Sequence, residues 1–264
     1  MGSMETPPDA AGGTVGKALH VLDMVAEKMR PVRFNDLLDG SPYPKATLYR
    51  LLQTLTAQGM LSYDDERQTY APGMRLVRLA HAAWRQSSLA PVARPFLDSL
   101  SREVGETIHL AQIDRGQVLY VDKRNAASPV EMFSQAGKVG PGYCTGVGKA
   151  MMAFLKPAEL EEAIKNQSFY KHTDHTLTNA DALRAELTQI HEDGIAFDRE
   201  EHEAGIICIA APILTSNERV IGALSITTTK QKFSLEGLDA LRPVLLTTAT
   251  EIAQAAENWQ FPRS

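Results

Sequence analysis

Residues 41–63 read SPYPKATLYRLLQTLTAQGMLSY, and they contain no Asp or Glu. The chain as a whole carries 32 acidic against 27 basic residues, so an acid-free window of this length stands out. Its only charges are Lys45 and Arg50. Leu48, Leu51, Leu52 and Leu55 recur at helical spacing and predict a helix over residues 44–58 with one buried face. Pro44 suits the first helical position and Gly59 the exit. Lys45, Thr47, Tyr49, Arg50 and Gln53 are left on the other faces. A cationic surface in an acidic protein suits a polyanion, and phosphate is the commonest one.

Working outward, two shorter patterns precede this helix. Residues 14–29 place Ala18, Leu22, Val25 and Met29 on one helical face, with Thr14 as a cap. A brief helix over 35–39 has Asn35 as a capping type and Gly40 as its stop. Two short strands follow, over 60–63 and 69–71, joined by Asp64-Asp65-Glu66-Arg67-Gln68. Three helices and a hairpin are the layout of a winged helix-turn-helix, whose second paired helix enters the major groove of DNA N-terminus first. That assigns DNA contact to Lys45, Thr47, Tyr49 and Arg50, with Arg67 at the wing tip. Arg50 is the candidate for paired hydrogen bonds to guanine, while Lys45 and Thr47 hold phosphate and set register.

Residues 74–90 continue as a helix with Leu76, Leu79, Ala80, Ala83 and Trp84 on one face, and Pro91 ends or kinks it. This reads as a linker that could pair with its copy in a dimer. Beyond it the texture changes. Residues 107–113 and 117–124 form a hairpin around Asp114-Arg115-Gly116, and residues 206–213 and 219–228 form a second strand pair. Helices are expected over 157–166, over 178–193 with a Thr-x-x-Asp start and a stop at Gly194, and over 234–259 with a bend at Pro243. Strand pairs separated by helices predict an α+β domain with an antiparallel sheet. In RVIGALSITT, Ala223, Ser225 and Thr227 share a small, increasingly polar face. It suits either a cavity wall or a solvated outer surface.

Length allows one to two domains, and no apolar run reaches the roughly 20 residues of a membrane helix. Two cysteines, Cys144 and Cys208, make neither a disulfide framework nor a metal cluster, which fits a reducing cytoplasm. No secretion leader is recognisable. Met1-Gly2-Ser3-Met4 reads as an expression remnant, and residues 1–13 as disordered. From residue 105 onward the count is fifteen basic against twenty-one acidic, so nucleic-acid contact would rest on a local patch at the front.

The motifs KALHVLDMVAE, PKATLYRLLQTLTAQGML, TGVGKAMMAFL, GIAFDREEHEAGIICIAAPI and VIGALSIT resemble IclR-type bacterial transcriptional regulators over nearly the whole chain. The back signature matches at Asp198, Glu201, Gly205, Cys208 and Ala210-Ala211-Pro212. The resemblance implies a winged helix-turn-helix (14–73), a linker helix (74–90), a GAF-like effector domain (91–259) and a short tail (260–264). It also implies a homodimer or homotetramer on double-stranded operator DNA, no cofactor, and a small organic acid or aromatic effector. Carried over by motif, the effector pocket comprises Thr145, Gly146, Val147, Asp198, Cys208, Ser225 and Thr227. A helix opening at residue 145 would offer N–H groups to a carboxylate. Asp198 would take an effector hydroxyl, and Ser225 and Thr227 can donate or accept.

Enzyme readings are weaker. GYCTGVGKA fails as a phosphate loop on glycine spacing and on Ala150 at the magnesium position. His172 and His175 lack a third metal ligand. A Cys-dependent hydrolase would use Cys208 with His202 or His109, yet Cys208 sits in an apolar strand. A ligand sensor without DNA binding is the remaining alternative.

Overall fold

A computed structural model describes residues 13–126, 132 and 134–257. The expected disordered start, the tail and Trp259 lie outside these residues. The chain divides into two compact units, residues 1–85 and 86–264.

In the first unit, α1 (Gly13–Glu27) buries Val21, Leu22 and Val25. It ends before the expected Met29, which stands 85% exposed with φ +53°. The helical stripe stops where the chain turns left-handed, so Met29 belongs to the exit and not to the core. A strand the periodicity did not reveal, β1 (Val32–Arg33), leads into α2 (Phe34–Leu38). Arg33, not Asn35, occupies the N-cap position, and the Asp36 carboxylate accepts from its N–H. α3 (Lys45–Ala57) starts one residue later than expected, with Pro44 as its cap residue. Its stripe of Leu48, Leu51, Leu52 and Leu55 packs into one cluster with Val21, Val25, Leu37 and Tyr70. Fully burying a leucine contributes about 1.5–3 kcal/mol, so this stripe fixes the rotation of α3 and with it the exposure of Lys45 and Arg50. β2 (Leu61–Asp64) and β3 (Thr69–Pro72) form the wing, and β1 adds to β3, giving a three-stranded antiparallel sheet.

α4 (Met74–Ser87) contains the division between the units. Leu76 packs on the first unit's core, whereas Leu79 and Val77 are exposed. The expected single buried face is therefore not satisfied within this unit. Pro91 does not kink α4. It lies in the first turn of a separate helix, α5 (Ala90–Val104), where a missing N–H costs nothing. The two prolines of α5 concealed it from a reading that treats proline as a breaker.

The second unit is built on a six-stranded sheet in the order β6-β5-β4-β9-β8-β7, antiparallel throughout. β4 (Thr107–Asp114) and β5 (Gln117–Arg124) form the expected hairpin. Its two-residue turn, Arg115-Gly116, has positive φ at both positions, the geometry that matches strand twist. β6 (Val139–Pro141) is a short edge strand. α6 (Gly146–Met152), α7 (Pro157–Lys165) and α8 (Ala180–Asp193) follow. α8 is capped by Asn179, whose side chain accepts from Ala182 N–H, and not by the expected Thr178. β7 (Ala196–Arg199), β8 (Ile206–Leu214) and β9 (Val220–Thr229) complete the sheet. The expected final helix is two: α9 (Leu235–Asp239), capped by Ser234, and α10 (Arg242–Ala256), with Pro243 in its first turn.

Ile108, Leu110, Ile207, Ile209, Ile226 and Leu224 load one face of this sheet, and α5 and α10 pack with it. α6 covers the other face, where Ala111, Ala210 and Ala223 leave room for it. Both faces are thus buried. The reading of Ala223, Ser225 and Thr227 as a solvated surface is excluded. Among the described residues no helix is long and apolar enough to cross a membrane.

Candidate functional site

The first unit presents the start of α3 outward. Lys45 and Arg50 are exposed, Thr47 is half-buried, and Tyr49 is 54% exposed while its ring meets Phe34 edge-on at 6.1 Å. Lys45 and Tyr49 line a cleft shared with Arg33, Asn35 and Gln68. Arg33 was missed because it lies on a two-residue strand too short to show a period, and Asn35 was read only as a capping residue. At the wing, the Asp64 carboxylate accepts from the N–H groups of Glu66 and Arg67 and holds the turn, leaving the Arg67 side chain exposed. Arg50 and Arg67 do not line the cleft; both are exposed.

In the second unit, strand register collects the back residues. Asp198 of β7 pairs with Cys208 of β8, and Cys208 with Thr227 of β9. One register step along, Ala210 pairs with Ser225, and Ser225 with His109 of β4. Asp198, Cys208, Ser225, Thr227 and His109 are all buried. The His109 ring is the residue the pocket reading lacked. Its Nδ1 lies 3.1 Å from Thr227 Oγ1 and 3.4 Å from Ser225 Oγ, and its Nε2 lies 2.7 Å from Ser134 Oγ. Burial, and then the nearby Lys123 ammonium, push its pKa down to about 3, so the ring is neutral. In the sequence it stood out only as a possible base for Cys208 and as a polar residue alternating with Ile108 and Leu110.

Asp198 Oδ1 accepts from Glu201 N–H at 2.7 Å. Burial, and then the Glu201 carboxylate, push its pKa up to about 7. The group is therefore poised between acid and carboxylate at neutral pH. Glu201 in turn meets the fully buried Lys149 of α6, which also bonds Glu186 at 3.2 Å. Arg199 closes the set onto Glu186 at 2.8 Å. A lysine inside a run of small apolar residues was the available clue to this network.

α6 opens at Thr145, as the sequence suggests, with Thr145 as its N-cap. Thr145 Oγ1 accepts from Gly148 N–H and donates to Pro141 O, and Thr145 O accepts from Lys149 N–H. All seven residues of α6 are buried. Gly146 permits close approach to β8, since a Cβ there would fall 2.4 Å from Cys208 Sγ. Val147 packs in the apolar cluster with Ala150 and Met151.

Burial disfavours the thiolate at both cysteines. Burial, and then the Asp198 carboxyl, push Cys208 up to about 12, and burial also raises Cys144. His109 is engaged by hydroxyls, and the His202 ring meets that of His172 at a tilt of 56° with ring centres 4.8 Å apart. Among the described residues, no group of three or more His, Cys, Asp or Glu could hold a metal ion.

A winged helix-turn-helix in one unit and a buried polar face in the other define a one-component transcriptional regulator: a DNA-binding domain on the same chain as a sensor domain. The chain belongs to the IclR family, since residues 14–65 match the IclR helix-turn-helix domain and residues 81–254 the bacterial transcriptional regulator IclR C-terminal domain. It is 33% identical over 215 residues to the HTH-type transcriptional regulator XynR of Escherichia coli, covering 81% of this chain and 85% of that one. The crystal structure of Thermotoga maritima IclR matches 92% of this chain and 98% of its own, at 28% identity and TM-score 0.71. An IclR homolog from Microbacterium hydrocarbonoxydans, crystallised with 4-hydroxybenzoate, shares the fold at 22% identity and TM-score 0.76, with 92% and 98% covered.

Proposed function

We propose that this regulator binds a pseudo-palindromic operator as a homodimer or homotetramer and that a small organic acid, aliphatic or aromatic, modulates the binding. The buried polar row of Asp198, Cys208, Thr227, Ser225 and His109 carries this reading. Burying polar groups costs free energy unless each is partnered, and a face meant only for packing would be apolar. The bound 4-hydroxybenzoate of the Microbacterium homolog supports an aromatic acid as one effector type. DNA contact falls to Lys45, Thr47, Tyr49 and Arg50, with Arg67 beside them. The exposed Val15 and Leu19 of α1 and Val77 and Leu79 of α4 suit burial against a second copy.

An effector acts only if it binds the DNA-competent and incompetent states unequally, with typical coupling of about 1–3 kcal/mol. The test is operator binding by the full chain with and without candidate acids, repeated on Asp198→Ala. The variant should bind operator normally and lose the response. A retained response would remove Asp198 from the effector site.

A further inference from the structure

The start of α4 is built onto the end of α3. Gly59 follows α3 with φ +69°, and the chain returns to this point at Gly73. Gly73 N–H donates to Met60 O at 2.8 Å, and Arg75 N–H donates to Gly59 O at 3.3 Å. Gly73 is buried, and a Cβ there would fall 2.3 Å from Gly59 O, so only glycine lets the two backbones meet. The Arg75 side chain ties the same two segments. Its Nη1 donates to Gln58 O at 2.9 Å and to Gln58 Oε1 at 3.1 Å. Gln58 is the C-cap of α3, so the guanidinium meets a carbonyl at the negative end of that helix, where a cation is favoured.

The position of this joint gives it leverage. α3 is locked into the first unit's core by its leucine stripe, so the joint sets the angle between α4 and the whole winged body. Just beyond it, Val77 and Leu79 of α4 stand exposed, two of the residues that suit burial against a second copy. Lys45 lies at the opposite end of α3. The 13 residues of α3 span about 20 Å. A tilt of roughly 10° at the joint therefore carries Lys45 by about 3.5 Å, close to the rise of one base pair.

We infer that Arg75, closing the joint between Gly59 and Gly73, is a positioning residue that fixes the distance between the two α3 helices of a dimer, and so the half-site spacing this regulator accepts. Arg75 acts through α3 and not on the DNA itself. This rests on reading the protein as a symmetric dimer that meets in part through α4.

The test uses the full-length protein and its operator as read by footprinting, remade with one or two base pairs added or removed between the half-sites. Each added base pair shifts a half-site by about 3.4 Å and turns it by about 35°. Wild-type affinity should fall roughly tenfold or more at one base pair from the optimum. Arg75→Ala should reduce that loss to roughly threefold or less, because both half-sites are then reached by a looser joint. Arg75→Lys keeps a donor for Gln58 O and should retain most of the wild-type discrimination. Binding of Arg75→Ala to an isolated half-site should stay within about threefold of wild type, with the same slope of log affinity against log salt, since no phosphate contact is lost. A slope lower by about 1 makes Arg75 a phosphate contact and overturns the inference. So does an unchanged spacing profile in Arg75→Ala, an equal loss on half-sites and on every spacing, or Arg75→Lys behaving as Arg75→Ala. A wild type that accepts all spacings alike overturns the dimer reading, and the inference with it.

Discussion

Arg50 and Asp198 show how one side chain's surroundings set its task. Arg50 is solvated and free to reach a base edge from the first turns of α3. Arg50→Ala should cost about 1–3 kcal/mol of binding to the specific operator, and much less on random DNA, measured by competition gel shift. An equal loss on both would make Arg50 a phosphate contact. Asp198 is governed by burial. Its folded pKa of about 7 lies above its ordinary value of 3.8, so between these values the native state holds a proton that the unfolded chain has released. Stability from this group is therefore present below the ordinary value and is lost as pH rises through about 7. Asp198→Asn keeps an oxygen for Glu201 N–H and removes the titration. Its melting temperature relative to wild type should rise as pH is raised from 5 toward about 8, the window the linkage sets. A difference independent of pH would show that Asp198 is an ordinary carboxylate.

At the scale of elements, α6 is held by a charge as much as by packing. Lys149 is fully buried against Glu201 and Glu186, and Glu201 N–H fixes the Asp198 carboxyl. Lys149→Met leaves Glu201 buried without its partner and should destabilise the second unit by about 3–5 kcal/mol in denaturant unfolding. The double variant Lys149→Met/Glu201→Gln should recover a large part of that loss. No recovery would mean that Lys149 acts through its stem alone. The elements also show what a sequence reveals. α3, the β4–β5 hairpin, β8, β9, α7 and the Gly194 stop of α8 were legible because periodicity and turn chemistry there are strong and local. β1, β6 and β7 were not, because two to four residues carry no period. α5 was hidden by its prolines, and α9 and α10 merged because Pro243 begins a helix instead of bending one. For the site, motif residues were legible singly, but register alone brings His109 and Ser225 together, since they are 116 positions apart.

For the whole molecule, an acidic chain is expected to approach DNA through a restricted cationic surface. Lys45→Ala should weaken operator and random DNA alike and should flatten the salt dependence. The slope of log affinity against log salt should fall by about 1 per subunit that loses a phosphate contact. An unchanged slope would take Lys45 off the backbone. In a symmetric dimer the two α3 helices should sit about one DNA turn, or a multiple of it, apart, which footprinting would read as spaced half-sites.

Both cysteines of the chain, Cys144 and Cys208, lie inside the second unit, and the first has none. An alkylating reagent in solution therefore finds nothing to modify until that unit breathes open. Mass accumulating over time then clocks the opening of the sensor half alone, with no engineered label. A metabolite that tightens this half would slow the clock whether or not DNA is present.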